Sequence, residues 1–134
     1  MNKDRYLIIS CFLVIFLTAC AFDLVHIKQI PTQIETNQVS LPSFKLEKDI
    51  DFSCGTGYSR KLKQGTTWNY VGTVMYGDVY KTNDQILTVE GSNIYEAYIV
   101  VSNDKLVGFY LPAEESYSPL SKPKELHIKE ISNR

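Results

Sequence analysis

The chain has little of the chemistry on which most active sites and metal centres depend. Its 134 residues include two histidines, His26 and His127, and three cysteines. A structural zinc site needs about four His, Cys or carboxylate ligands, and here these residues are scattered. Nucleophilic catalysis needs an activating base beside the nucleophile, and neither histidine lies in a recognisable nucleophile motif. We therefore predict that the protein is not an enzyme and has no metal or other cofactor.

The remaining polar motifs are also too isolated to predict catalysis. Two carboxylate pairs, Asp49 with Asp51 and Glu114 with Glu115, flank the strand-rich part of the sequence and are typical of solvated loops. The motif Gly55-Thr56-Gly57 lacks the Lys-Ser/Thr pair and the following helix of a phosphate-binding loop. It predicts a bulge or a tight turn after Cys54 instead.

Neither sign of charge dominates the chain, which has 14 basic and 15 acidic residues. A surface that binds nucleic acid needs a basic stripe that neutralises several phosphates. The one basic cluster, Arg60-Lys61-Leu62-Lys63, is too short for that and is typical of a solvated strand edge or turn. No nucleic-acid partner is expected.

What the sequence does have begins with a leader. Lys3 and Arg5 precede an apolar run at residues 7–17, and small residues follow it. This order is typical of a secretory signal peptide, whereas a helix that spans a membrane needs about 20 apolar residues. We predict a signal peptide over residues 1–19, and the alternative is an uncleaved anchor helix in which Cys20 is an ordinary apolar residue.

The end of the leader, Leu17-Thr18-Ala19-Cys20, resembles the lipobox of bacterial lipoproteins at every position. The resemblance implies cleavage after Ala19, a diacylglycerol on the sulfur of Cys20, and an acyl chain such as palmitate on its nitrogen. Ala21, rather than Asp, resembles the enterobacterial sorting pattern for the outer membrane. The expected location is therefore the periplasmic face of the outer membrane, with contact to the membrane through the lipid on Cys20.

Loss of the leader leaves Cys54 without a partner in its own chain, because Cys11 is removed and Cys20 is lipidated. A leftover cysteine is a buried small residue, half of an intermolecular disulfide or a free thiol. We favour burial, since cysteine is among the most buried residue types.

Glycine and proline divide the mature chain. All seven glycines lie within residues 55–108, and all five prolines lie outside that range. Proline is excluded from central strands, whereas glycine marks turns and bulges between strands. We predict a lipidated approach segment at residues 20–49, whose part from about Val39 is a candidate for packing on the domain. A β domain at residues 50–134 follows, with a compact part at residues 50–111 and a Pro-containing closing segment.

Strand signals recur through this domain, and no amphipathic helix pattern follows the leader. The predicted strands are residues 67–71, 78–81, 86–90, 94–101, 106–111 and 126–129. Asn103 and Asp104 favour a tight hairpin turn, and the apolar runs that flank them predict a central hairpin. The last strand alternates and is predicted to be an edge. The fold class is therefore all-β, a small antiparallel sandwich or barrel, and both alternatives remain open.

Aromatic residues suggest the function. The domain has more of them than a core of its size readily buries, and Tyr and Trp often dominate protein contacts. Trp68, Tyr76 and Tyr117 are the candidate partner-binding residues, and Tyr76 and Tyr117 are predicted to be exposed. We expect a lipid-anchored envelope lipoprotein that acts as a non-catalytic periplasmic binding or structural component, with another envelope or periplasmic protein as its partner. The alternative is a periplasmic immunity protein or enzyme inhibitor that blocks a toxin or lytic enzyme.

The start of the domain, Phe52-Ser53-Cys54, resembles the aromatic-x-Cys start of the membrane-bound lysozyme inhibitors. That resemblance implies a small lipid-anchored barrel. In that family the cysteine pairs with a second one near the C-terminus, and this chain has none there. The resemblance is limited to these three residues and does not identify the family of the domain.

Overall fold

The structure is a computed structural model that describes residues 26–56 and 58–132. The leader and Cys20 lie outside the described residues. Within them the protein is all-β with antiparallel strands, which confirms the predicted fold class. No helix among these residues is long and apolar enough to cross a membrane.

Twelve strands follow one another along the described chain. They are β1 (Ile30–Pro31), β2 (Ser43–Leu46), β3 (Ile50–Ser53), β4 (Ser59–Leu62), β5 (Thr67–Val74), β6 (Gly77–Lys81), β7 (Thr88–Glu90), β8 (Ile94–Glu96), β9 (Tyr98–Ser102), β10 (Lys105–Leu111), β11 (Ser116–Glu125) and β12 (Ile128–Ile131).

Eight strands form one sheet in the order β1-β11-β10-β9-β6-β5-β2-β12, and β3–β4 and β7–β8 form two small hairpins. The β9–β10 hairpin lies in the middle of the large sheet and β12 lies at its edge, as the sequence predicted. Asn103 and Asp104 have φ angles of 50° and 57°, which suit the predicted tight turn.

Both faces of the large sheet are covered. The larger core includes Trp68, Ile99 and Phe109, all fully buried, and the smaller core on the other face includes Val100 and Tyr117. Consecutive residues of β9 therefore point into different cores. This explains why the apolar run in β9 is continuous rather than alternating.

The approach segment forms part of the fold. Ile30 and Ile34 pack on the smaller core, and Glu35 and Thr73 exchange two backbone hydrogen bonds of 2.8 Å. A Cβ at Gly72 would lie 2.7 Å from the backbone oxygen of Glu35, so glycine permits this close approach. The predicted domain start at residue 50 is thus too late, because β1 and β2 already belong to the large sheet. The segment crosses a face of the sheet instead of following one strand, so its apolar residues fit neither a regular helix period nor a regular strand period.

The closing segment contains the longest strand, β11, which includes Pro119 and Pro123. Its neighbour β1 pairs only with Ser116 and Tyr117. The rest of the outer edge of β11 has no strand partner in the described part of the chain. Since proline has no N–H to donate, it is tolerated at such an edge and discourages pairing with another chain.

Candidate functional site

The aromatic residues predicted to bind a partner do not form a surface. Trp68 is fully buried and its Nε1 donates a 2.9 Å hydrogen bond to Thr66 Oγ1. Tyr117 is 4% exposed, and Tyr76 is half-buried and packs on the smaller core. The predicted exposure of Tyr117 is wrong, and Trp68 and Tyr117 are not available for contact. The face that holds Tyr76 and Tyr117 is covered by the approach segment.

Other predicted polar positions lie apart from one another. His26 and His127 are exposed, and no group of three or more potential metal ligands occurs in residues 26–56 and 58–132. Cys54 is a half-buried free thiol that packs on the larger core, and burial raises the pKa of its thiol.

The acidic pair before β4 is part of a surface charge cluster. The Nζ atom of Lys61 lies 3.6 Å from a carboxylate oxygen of Asp49 and 3.8 Å from one of Asp51. A hydrogen bond from the backbone N–H of Gln64, with a smaller effect of Lys61, lowers the pKa of Asp49. All three charged side chains are substantially exposed, so these contacts contribute little to stability.

The β7–β8 hairpin has one face in the core and one face outward. Val89 is buried opposite Tyr95, which packs on the larger core. Side chains alternate along a strand, so their neighbours point away from the core. We define the hairpin face as the outward residues of this hairpin together with Ile86. This residue precedes β7 and lies on the same side of the chain as the outward residues of β7. Its members are Ile86, Thr88, Glu90, Ile94 and Glu96.

Two isoleucines are the most exposed members of the hairpin face. Ile86 is 92% exposed and Ile94 is 70% exposed. Ile86 lines two clefts of about 730 and 640 Å³. One cleft extends to Glu96 and Tyr98, and the other extends to Arg60 on β4. Ile86 therefore borders both depressions.

The hairpin is fixed to the neighbouring β3–β4 hairpin by polar contacts. Arg60 forms an ion pair with Glu90, whose side chain is 15% exposed. Thr56 Oγ1 donates a 2.6 Å hydrogen bond to the backbone oxygen of Glu90. These contacts hold the two isoleucines on a preformed surface.

Exposed apolar residues elsewhere are more isolated. Met75, 84% exposed, lies in the turn between β5 and β6, and Val39, 74% exposed, lies in the approach segment. Tyr58, 53% exposed, lies just before β4. Among the described residues, the β7–β8 region thus has the clearest pair of exposed aliphatic side chains on one supported element.

Sequence reasoning missed this face, although one signal was present. The run Ile86, Leu87, Thr88, Val89 and Glu90 predicted a strand. It did not tell which side lies inward, because both sides begin with an aliphatic residue. Comparison of the chain with protein-family models, with curated proteins and with solved structures finds no match.

Proposed function

We propose that the protein is a lipid-anchored lipoprotein of the outer membrane that acts as a non-catalytic binding component in the periplasm. In this proposal the hairpin face is the contact surface for a partner protein. The observation that carries it is the exposure of Ile86 and Ile94, at 92% and 70%, on one supported hairpin.

The chemistry of the hairpin face suits a protein contact. Burial of an aliphatic side chain of this size contributes about 1.5–3 kcal/mol, so two such anchors supply a useful part of a binding free energy. Glu90 with Arg60, Thr88 and Glu96 surround them with polar groups, as is typical of an interface with a polar rim. Because the hairpin is already held in place, little conformational entropy is lost on binding.

The proposed anchor places this domain close to the membrane. Ile27 is 7% exposed and belongs to the larger core. Residues 21–26 are the only link between Cys20 and Ile27, and the fully extended chain from Cys20 to Ile27 spans at most about 25 Å. The partner is therefore expected among membrane components or among periplasmic proteins that approach the membrane.

An immunity or inhibitor role is the second candidate, and the shape around Ile86 favours it. A highly exposed aliphatic residue that lines two clefts suits insertion into a concave site of a toxin or lytic enzyme. The two candidates differ in one result. Binding of an inhibitor lowers the enzymatic activity of its partner, whereas binding of a structural component leaves any such activity unchanged.

Photocross-linking in the cell tests the proposed contact surface. A photoreactive amino acid is placed at Ile86 or at Ile94, and in a separate variant at Met75 as a control of similar exposure. We expect a discrete cross-linked partner from the first two positions and none from Met75. Equal cross-linking from all three positions, or none from Ile86 and Ile94, would rule out the hairpin face as the contact surface.

A further inference from the structure

We propose that the groove between β4 and β7 binds an extended peptide segment of the partner by strand addition. This inference rests on the proposed protein-binding function and names how the partner is held. The β4–β7 groove is the cleft of about 640 Å³ that borders Ile86. Its walls include Ser59, Arg60 and Lys61 on one side and Ile86 and Thr88 on the other.

The first wall is a strand edge that has no strand partner in the described part of the chain and is occupied in part by Gln85. In the described part of the chain β4 pairs only with β3. The side-chain amide of Gln85 donates to the backbone oxygen of Lys61 at 3.2 Å and accepts from the backbone N–H of Lys63 at 3.0 Å. Lys61 and Lys63 thus direct their backbone groups away from β3. Since this direction alternates in an antiparallel pair, the backbone groups of Ser59 point the same way.

The second wall is an open edge as well. Within the described residues β7 pairs only with β8. The backbone N–H of Ala97 donates to the oxygen of Leu87 at 3.1 Å, so Leu87 directs its oxygen toward the chain that leads out of β8. Because this direction alternates along a strand, the backbone groups of Thr88 and Glu90 point away from β8. On that side the backbone oxygen of Glu90 accepts the hydrogen bond from Thr56.

The contacts of Gln85 show that the edge of β4 forms hydrogen bonds with an amide group. A side-chain carboxamide has the same donor and acceptor as a peptide group, and that of Gln85 engages β4 much as the backbone of an added strand would. Farther along the edge, Ser59 and Thr88 line the groove on opposite sides. An extended peptide supplies backbone donors and acceptors in the spacing that such edges require.

Charge indicates the composition of the peptide. Arg60, Lys61 and Lys63 line the groove against two acidic residues, Asp51 and Asp84. Lys61 already contacts Asp51, and Asp84 accepts a 2.6 Å hydrogen bond from the backbone N–H of Thr67. Arg60 is paired with Glu90, and Lys61 also contacts Asp49, so the groove presents charged side chains of both signs. With Ile86 at its rim, the groove fits a strand in which charged and aliphatic residues alternate.

A synthetic peptide tests this inference directly. The probe is a blocked heptapeptide of alternating valine and glutamate, added to the ¹⁵N-labelled full-length protein in detergent and followed by NMR. We expect saturable shifts of the amide signals of Ser59, Lys61 and Thr88. A peptide of the same sequence with N-methylated backbone amides should bind at least tenfold more weakly, because it lacks backbone donors. Equal binding of both peptides, or shifts confined to other regions, would overturn the proposal.

Two matched variants test at which strand edge the peptide binds. Ser59 and Ser53 are opposite each other in the β3–β4 register, and both are exposed. Proline at position 59 removes an N–H from the groove edge, whereas proline at position 53 changes the far edge of β3. Ser59→Pro should abolish peptide binding and Ser53→Pro should preserve it. If Ser59→Pro does not fold, the N-methylated peptide still tests the same backbone hydrogen bonds on the wild-type protein.

The results separate this inference from the proposed function. Cross-linking at Ile86 without peptide binding would remove the strand-addition inference and leave the partner-binding function in place. Peptide binding without cross-linking at Ile86 and Ile94 would support the groove as a peptide site and contradict the hairpin face as the partner contact.

Discussion

The ring of Tyr76, in the turn between β5 and β6, stacks on the ring of Tyr117 in β11, with 4.1 Å between ring centroids and 10° between ring planes. The hydroxyl of Tyr117 also donates a 3.0 Å hydrogen bond to the backbone oxygen of Val107. Both tyrosines therefore connect parts of the fold that are distant in sequence. Both side chains contribute to packing in the smaller core.

Tyr117→Phe should lower the free energy of unfolding by about 0.5–1.5 kcal/mol, because the variant loses the hydrogen bond to Val107 but keeps the ring. Urea denaturation measures the effect. Tyr76→Phe, which retains the stack, is the control and should change the free energy by less than about 0.5 kcal/mol. If Tyr117→Phe is as stable as the wild type, the hydrogen bond has no energetic role.

Gly108→Ala should destabilise the protein by about 1–3 kcal/mol through overpacking. A Cβ at this position would lie 2.5 Å from the backbone oxygen of Ser118 and 2.6 Å from a ring carbon of Tyr117. The measurement is the midpoint of thermal unfolding, with the exposed Ser121→Ala as a control. An unchanged midpoint for Gly108→Ala would show that β10 and β11 pack less closely than these distances require.

Alanine substitutions should distinguish the core from the hairpin face. Ile99→Ala and Leu106→Ala, both at fully buried positions, should each cost about 2–5 kcal/mol of stability. Ile86→Ala, at a 92% exposed position, should change stability by less than about 0.5 kcal/mol. A large loss of stability for Ile86→Ala would contradict its exposed position.

Alkaline pH should destabilise the protein through Tyr80. Burial, with a smaller effect of the Asp78 carboxylate, raises the pKa of Tyr80 from 10.0 to about 12. Because the folded state holds this proton more tightly than the unfolded state, the stabilising effect is fully present below pH 10 and is lost as the pH rises from about 10 to about 12. Tyr80→Phe should show a smaller decline of the free energy of unfolding over that range. Identical pH dependence in both proteins would contradict the raised pKa.

Cys20→Ala tests the anchor. The variant should accumulate as an unprocessed precursor that incorporates no labelled palmitate, because the thiol proposed to receive the lipid is absent. The measurement is metabolic labelling with fractionation of the membranes. Normal processing of the variant would exclude lipidation at Cys20.

The sequence predicted those elements that local chemistry determines. Asn103 and Asp104 identified the turn of the central hairpin, and the apolar runs beside it identified β9 and β10. The predicted strand at residues 94–101 is divided in the structure into β8 and β9, with buried Ala97 between them. Ala97 donates to Leu87 rather than continuing one ladder, and such a change of partner leaves no mark in the period of the sequence.

Burial of the aromatic residues depended on contacts that no local pattern records. Tyr117 lies near a loop in the sequence, yet Ile30 pairs opposite it and the ring of Tyr76 covers it. Conversely, Ile86 and Ile94 are aliphatic residues in a strand-forming region, and the sequence suggests core positions for them. Which side of the β7–β8 hairpin faces solvent follows from its packing on the larger core through Val89 and Tyr95.

The affinity of the cross-linked partner for variants of the hairpin face tests the central claim most directly. Ile86→Asp and Ile94→Asp should each weaken binding at least about tenfold, since the loss of one buried aliphatic anchor corresponds to about 1.5–3 kcal/mol. Met75→Asp is the matched control, with a side chain 84% exposed outside the hairpin face, and should bind like the wild type. Equal affinity of all three variants would contradict the hairpin face as the site at which this protein binds its partner.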